Sequence, residues 1–209
     1  MTDGLPYAHV LKRRPAQVRS ARRIEALLDA AAELLGDHEV EDITVRDLAD
    51  GAGVPTGTLY QFFEDKDAVF QALAVRFLAA MPGVLDEASE RGGGEWARTV
   101  GLVVDRYAAM IREHPAIRRL WLSGALDEAT RSVERETDAT IAARLGALLR
   151  RQSGSRRGTA QQWRMLVALI DGLLVHAFTE DPDGDPVVLR EARRAARAYA
   201  GAVLGVSAP

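Results

Sequence analysis

The feature that most constrains the fold is the run of residues 44–63, TVRDLADGAGVPTGTLYQFF, which predicts a helix, a tight turn and a second helix. Thr44 can cap the first helix, because its hydroxyl can accept a backbone N–H left unpaired at a helix start. Gly51 and Gly53 allow the turn, because glycine reaches positive φ without a steric penalty. After Thr44, apolar residues recur at three- and four-residue spacing, as on one face of a helix: Val45, Leu48, Ala49 and Ala52.

The second helix begins near Pro55, whose fixed φ suits the first turn of a helix. Residues 56–61, TGTLYQ, are small and polar around one apolar anchor, Leu59. A helix with so few apolar residues exposes most of its surface. In a helix-turn-helix, an exposed second helix of this kind lies in the major groove of DNA.

These residues resemble the helix-turn-helix of the TetR family of transcriptional regulators. The family pattern is roughly T-V-x-x-(I/L)-A-x-x-A-G-V-S-x-G-x-(L/F)-Y-x-(Y/H)-F, followed by an acidic helix start with a lysine. The matching positions are Thr44, Val45, Leu48, Ala49, Ala52, Gly53, Val54, Gly57, Leu59, Tyr60, Phe62, Phe63 and Lys66. Pro55 departs from the pattern, because the family usually has a serine there that caps the second helix.

The resemblance covers residues 19 to about 78 and implies an all-α fold. We expect a flexible basic arm over residues 1–15, a three-helix DNA-binding head over 16–66, and a helical effector-binding and dimerisation body over 67–209, reached through a connecting helix. The implied function is that of a ligand-responsive regulator. It would be a repressor that binds a palindromic operator as a homodimer and is released by a small apolar effector.

Composition is that of an ordinary globular protein, with 47% hydrophobic and 27% charged residues in a chain of 209. The absence of cysteine excludes disulfides, thiolate metal sites and a cysteine nucleophile. No secretory signal is evident. The most apolar run, residues 165–178, contains Asp171 and is shorter than the ~20 residues that span a bilayer. We therefore expect a cytoplasmic protein with no membrane partner.

The charge balance does not by itself indicate a nucleic-acid binder. Net charge is −3, and residues 1–80 carry 9 basic and 13 acidic residues. One segment is basic without an intervening acid, and it adjoins the helix-turn-helix: Lys12, Arg13, Arg14, Arg19, Arg22 and Arg23. These six charges can face phosphates, or they can form a solvated tail.

The remaining sequence predicts helices throughout. An apolar stripe from Ile24 to Leu35 predicts a first helix that ends at Gly36. A helix that Asp65 can cap should kink or end at Pro82-Gly83. A glycine loop at residues 91–94 follows, and it lacks the Lys-Ser/Thr context of a phosphate-binding loop. The later helices are predicted over residues 95–113, 117–126, 127–151, 159–178 and 187–204.

The helix over residues 159–178 is apolar almost all round and should therefore be buried on every side. It can lie at the centre of the body or between two chains. The alanine-rich last helix permits close approach, so the two together predict a four-helix dimer interface. A homodimer would place two recognition helices ~34–36 Å apart on one face of DNA.

Residue chemistry divides the candidate DNA contacts into two groups. Thr56, Gly57, Thr58 and Gln61 are expected at base edges, since threonine methyls can meet thymine methyls and glutamine can bond adenine. Phosphate contacts, which set the register of binding, are expected from Thr44, Arg46, Tyr60 and Lys66. The alternative for Tyr60 is a ring in the core.

A ligand site in the body would draw on large apolar side chains, namely Tyr107, Met110, Trp121 and Trp163. These residues are equally what a helical core contains. Asp171 and His176 could orient a ligand, or they could be buried polar residues within the interface. The four histidines are scattered without metal-ligand spacing, and no nucleophile–base pair is evident, so we expect no catalytic site, metal or cofactor.

Three classes of function remain open from the sequence. A DNA-binding regulator is favoured, a helical protein that binds a partner without DNA is the alternative, and a small helical enzyme is the least supported.

Overall fold

In the computed structural model of the chain, which describes residues 5–207, every regular element is an α-helix, which confirms the all-α prediction. Nine helices follow one another within those residues: α1 (Val18–Asp37), α2 (Val45–Gly51), α3 (Thr56–Phe62), α4 (Lys66–Arg91), α5 (Trp96–Glu113), α6 (Pro115–Leu122), α7 (Glu128–Ser153), α8 (Ala160–Thr179) and α9 (Pro186–Leu204).

The chain divides into two compact units. The first comprises the residues up to Ala79 together with His114–Glu134, and the second comprises Ala80–Glu113 together with the residues from Arg135 onward. The first unit is therefore larger than the DNA-binding domain predicted at residues 16–66. Beyond the predicted domain, the first unit includes the first half of α4 and the whole of α6, which packs on α1.

The first unit is organised around α1, against which α2, α3 and α6 all pack. The apolar stripe predicted for α1 is its buried face: Ile24, Leu27, Leu28, Ala31 and Leu35 are fully buried. The helix continues through Gly36 and ends at Asp37, one residue later than predicted.

The N-terminal segment packs on this unit, so the flexible arm expected over residues 1–15 is wrong for residues 5–15. Tyr7 is only 1% exposed, and Leu11 and Pro15 are also buried. Burial of a tyrosine ring and a leucine holds this irregular segment in one conformation against the unit. The segment has no helical or strand periodicity, so the sequence pattern could not predict its burial. We call residues 5–15 the N-terminal strap. Residues 1–4 of the expected arm lie outside the described residues.

The second unit is built on α9, which packs against both α5 and α8. Arg197 donates a hydrogen bond from Nε to the Ala97 carbonyl (3.0 Å), and Arg193 forms an ion pair with Asp105. The small residues of α9 allow the close approach, because Ala192, Ala196 and Ala200 are fully buried.

Helix α4 continues through Pro82 to Arg91, although proline was expected to kink or end it. Proline removes one backbone hydrogen bond, but its φ is compatible with a helix. The residues around it are buried, namely Met81, Val84, Leu85 and Ala88. This packing outweighs the lost hydrogen bond.

Helix α4 is also the one helix of residues 5–207 that is long and apolar enough to cross a bilayer. In its most apolar window, 61% of the residues are buried inside the protein, as in the core helix of a folded domain.

Helix α8 is not buried on every side in the single chain. Met165 is 50% exposed and Val175 is 46% exposed. The exposed positions recur at helical spacing and define one side of α8: Met165, Ala168, Gly172 and Val175. On α9, Val187, Ala198 and Ala202 are likewise exposed. We call these seven residues the exposed apolar face.

Candidate nucleic-acid interface

Helix α2 begins with a reciprocal cap between Thr44 and Asp47. The Thr44 hydroxyl oxygen accepts from the Asp47 backbone N–H (3.2 Å), and Asp47 Oδ2 accepts from the Thr44 backbone N–H (2.9 Å). The pKa of the Asp47 carboxyl is lowered by a bond from the Thr44 hydroxyl and, next, by the bond from the Thr44 backbone N–H. The T-x-x-D spacing carries this signal, but the prediction rested on Thr44 alone. Thr44 is exposed, and its hydroxyl also donates to Asp47 (2.6 Å).

The turn between α2 and α3 depends on Gly53, whose φ is +63°. Gly51 has a different reason to be glycine. A Cβ added there would lie 3.2 Å from the Cβ of Ala30, so the small residue lets α2 approach α1 closely. The turn is closed by hydrogen bonds from the Gly53 N–H to Asp50 O (3.1 Å) and from the Val54 N–H to Ala49 O (3.0 Å).

Helix α3 is two turns long and buries one side only. Leu59 and Phe62 are buried in the unit, and four residues of the helix are exposed: Thr56, Gly57, Tyr60 and Gln61. Tyr60 exposes 49% of its surface, so its ring is not part of the core. The exposed side therefore holds two of the predicted base-reading side chains, a glycine and a phenol.

Thr58 does not belong to this exposed side, because only 8% of its surface is accessible. It directly precedes Leu59 and lies one turn before Phe62, so its side chain is on the inner side of α3. The predicted base contact of Thr58 is therefore wrong. The prediction treated a small polar residue as a surface residue, whereas its place on the helix buries it.

Lys66 holds the loop between α1 and α2 rather than facing outward. Its ammonium donates to the carbonyls of Val40 (3.0 Å), Glu41 (3.2 Å) and Ile43 (2.8 Å). A lysine has three N–H donors, and all three are used within the unit. Lys66 therefore has no N–H left for a phosphate.

Exposed cations flank the two helices of the motif. The Arg46 side chain is 85% exposed and lies 3.5 Å from Asp50, a weak surface pair. Arg13, Arg19 and Arg22 are exposed as well. Lys12 forms an ion pair with Glu64 at 3.0 Å, so its charge is partly neutralised.

Three residues of the predicted ligand site lie together in the second unit. Tyr107 and Met110 are buried one turn apart on α5. Burial raises the pKa of the Tyr107 phenol, and the carboxylates of Asp171 and Asp138 raise it further. Asp171 on α8 is therefore close enough for its charge to act on this phenol.

Trp163 is a packing residue. A Cβ added at Gly146 would lie 2.5 Å from its ring, and one added at Gly158 would lie 2.3 Å from it. The Arg150 guanidinium lies 5.8 Å from the ring centroid. The indole is 2% exposed and closely surrounded, so it packs in the core of the second unit.

The last two predicted ligand residues have other surroundings. Trp121 belongs to the first unit, where its indole N–H donates to Glu134. His176 is exposed on α8, next to Val175 of the exposed apolar face.

A groove of about 270 Å³ lies between α4 and α5 in the second unit. None of the six predicted ligand residues lines it; its walls are formed by Glu87, Ala88, Arg91, Leu102, Asp105, Arg106 and Ala109. Arg106 donates to Glu87 (2.8 Å) and Glu113 (3.0 Å), so the groove is charged and does not suit an apolar ligand. Residues 5–207 contain no group of three His, Asp or Glu side chains that could hold a metal ion.

Two family profiles match this architecture. Residues 27–73 match that of the tetR family of bacterial regulatory proteins, and residues 94–201 match that of the tetracyclin repressor-like C-terminal domain. The chain belongs to the TetR family. This confirms the resemblance of the helix-turn-helix and places the chain among transcriptional regulators rather than enzymes.

Solved structures support the TetR assignment over nearly the whole chain. A TetR-family transcriptional regulator from Streptomyces coelicolor is 33% identical, with 89% of this chain and 99% of that chain covered, and has a TM-score of 0.69. A TetR transcription regulator from Haloarcula marismortui, 21% identical, covers 88% of this chain and 99% of its own with a TM-score of 0.70. The latter shows the shared fold alone.

Curated relatives in the TetR family match over shorter stretches. The repressor KstR2 from Rhodococcus jostii is 35% identical over 99 residues, which are 47% of this chain and 48% of that protein. The regulator EthR from Mycolicibacterium smegmatis is 31% identical over 112 residues, 51% of this chain and 52% of its own. The chain thus spans about half the length of the curated relatives that it matches.

Proposed function

We propose that this protein is a transcriptional repressor that reads a palindromic DNA operator with α3 and responds to a small effector. The observation that carries the proposal is the exposed side of α3. A helix of a folded unit that leaves Thr56, Gly57, Tyr60 and Gln61 exposed, after a capped α2 and a glycine turn, has the geometry of a DNA-reading helix.

The exposed residues differ in the contacts that they can make. Gln61 can bond an adenine through its amide, and the Thr56 methyl can meet a thymine methyl. A Cβ added at Gly57 would have no atom within 4 Å, so α3 has room to approach the bases there. Tyr60 and Arg46 would bond phosphates, and the exposed Thr44 hydroxyl would do so by exchanging its bond to Asp47 for one to a phosphate.

Affinity for DNA must come largely from outside the motif, since residues 44–63 hold one arginine and two aspartates. The exposed Arg13, Arg19 and Arg22 supply positive charge beside it. Each phosphate contact that they make adds ~0.9 to the salt dependence of log K.

The exposed apolar face supports a homodimer. Met165, Val175 and Val187 are all about half exposed, and small residues lie between them. Apolar side chains exposed along one side of a helix are typical of a protein–protein contact. A second copy of the chain can cover it by a two-fold contact, which would pair the two recognition helices on an operator. His176 would then lie within the interface.

We place the effector beside Tyr107, Met110 and Asp171 in the second unit, because a buried phenol and a nearby carboxylate offer polar partners within apolar surroundings. The effector would be small and largely apolar, and it would favour a state of the dimer that no longer matches the operator. The protein would act in the cytoplasm, where its DNA is.

The test is selection of bound duplexes from a randomised library with the wild-type protein, followed by gel shifts. Gln61→Ala should relax the preference at one position of each half-site, by about 1–3 kcal/mol for a lost bidentate pair. Tyr60→Phe, which loses only a hydroxyl, should weaken binding to all duplexes alike. Selection of no sequence by the wild type, or unchanged binding in both variants, would refute the role of α3.

A further inference from the structure

The N-terminal strap ends against the recognition helix. The backbone N–H of Lys12 donates to the carbonyl of Phe62, the last residue of α3, at 2.9 Å. The Lys12 ammonium lies 3.0 Å from Glu64 Oε2, just beyond the same helix end. One residue of the strap thus contacts the C-terminal end of α3 with both its main chain and its side chain.

Helix α3 is short, and its C-terminal end is held by this contact together with the buried rings of Phe62 and Phe63. The last four carbonyls of any helix lack partners within the helix, and Lys12 supplies one of the missing donors. Its ammonium also lies near the negative end of the helix dipole. At the other end, Pro55 is the N-cap residue and provides no side-chain hydrogen bond.

The strap is itself anchored by Tyr7. The ring is buried, and the phenol donates to Glu25 of α1. Burial and this carboxylate raise the pKa of the phenol. Glu25 also bonds Arg76 of α4 at 3.1 Å, and Arg76 bonds Asp29 at 2.7 Å. The anchor therefore joins the strap to α1 and to the first half of α4.

We infer that the N-terminal strap clamps the recognition helix in its DNA-reading pose, with Lys12 as the residue that holds α3 and Tyr7 as the residue that anchors the strap. Both are positioning residues, because their contacts are within the protein. The inference rests on the proposed reading of DNA by α3. It adds a specificity-determining role for a segment that precedes the helix-turn-helix.

Two substitutions at one position isolate the main-chain contact. Lys12→Ala removes the ammonium and keeps the N–H, whereas Lys12→Pro removes both. Dissociation constants are measured for a duplex selected by the wild-type protein and for its scrambled version. Since the two variants lose the same charge, they should bind the scrambled duplex equally. Lys12→Pro should bind the selected duplex roughly tenfold more weakly than Lys12→Ala.

Hydrogen exchange of the α3 amides provides a readout that does not need DNA. The amides of Phe62 and Phe63 should exchange faster in Lys12→Pro than in Lys12→Ala, because the end of α3 opens more often. If the wild-type protein selects no DNA sequence, the proposed function is refuted. The exchange rates of the α3 amides would still decide whether the strap holds α3.

Tyr7→Phe keeps the ring in place and removes the donor to Glu25, so it tests the anchor if Lys12→Pro fails to fold. It should lower the ratio of selected to scrambled binding and speed exchange of the α3 amides, while exchange of the α9 amides stays unchanged. The inference would be overturned if Lys12→Ala and Tyr7→Phe had the same binding ratio and the same α3 exchange rates as the wild type, and if a folded Lys12→Pro showed no further change.

Discussion

Replacement of Lys66 by methionine separates two roles for a lysine at this position. In the structure the ammonium bonds three carbonyls of the α1–α2 loop, whereas residue chemistry predicted a phosphate contact. Methionine retains the apolar stem of the side chain, so the change removes mainly the ammonium. If the ammonium mainly holds the loop, the substitution should lower the free energy of unfolding. If it contacts a phosphate, the substitution should reduce the salt dependence of DNA binding.

The size of the effect follows from the three hydrogen bonds. A hydrogen bond to a charged group contributes about 1.5–3 kcal/mol when buried. The bonds to Val40 and Ile43 are half-buried and the bond to Glu41 is exposed, so we count about 1 kcal/mol for each of the first two and little for the third. Lys66→Met should therefore lower the free energy of unfolding by about 2 kcal/mol, or the urea midpoint by roughly 1 M.

The assay combines urea unfolding at fixed protein concentration with DNA binding at several salt concentrations. Arg46→Met is the matched control, because the Arg46 side chain is 85% exposed and has only a weak pair. It should leave the urea midpoint nearly unchanged and reduce the salt slope by about 0.9 for each lost contact. If Lys66→Met behaves in the same way as this control, the structural role that we assign to Lys66 is refuted.

Three further predictions concern the rest of the chain. Val175→Asp, on the exposed apolar face, should convert the protein to a monomer by light scattering, and a monomeric wild type would contradict the proposed dimer. Thr44→Ala should lower the urea midpoint at pH 7, and by less at pH 3, where the bonds to the Asp47 carboxylate weaken while the bond from the Asp47 N–H to the hydroxyl remains. The folded-state pKa of Asp47 is lowered, so its carboxylate contributes stability that is fully present above an ordinary aspartate pKa of about 3.9 and is lost as the pH falls from there through the lowered folded-state pKa. Gly146→Ala should lower the free energy of unfolding by about 1–3 kcal/mol, because the added methyl overpacks against the indole, and should lower the thermal midpoint accordingly. Gly83→Ala, with open space around it, should raise the midpoint slightly.

Features with a period or a spacing could be predicted from the sequence. The α1 stripe, the glycine turn and the order of helices all follow from local residue patterns. Asp65 also caps α4 as expected, since Oδ1 accepts from the Ala68 N–H at 2.8 Å. Pattern reasoning located α3 and its exposed residues because a helix with one anchor must expose the others.

Contacts between distant segments could not be predicted in the same way. The strap reaches Phe62 from fifty residues away, and Lys66 reaches back to Val40, with no local pattern to show either. The base contact predicted for Thr58 was wrong for a related reason, because the burial of this residue depends on how α3 is oriented against α1. The continuation of α4 through Pro82 likewise depends on what packs around it.

The arrangement of α3 has a consequence for how binding preference can change. Leu59 and Phe62 alone supply its large apolar contacts, so the fold places few demands on Thr56, Gly57, Tyr60 and Gln61. Even Gly57 has open space where a side chain could begin. These four codons can therefore vary together without unfolding the unit. A library randomised at them, selected against a chosen duplex, offers a direct route to regulators with new operators on an unchanged scaffold.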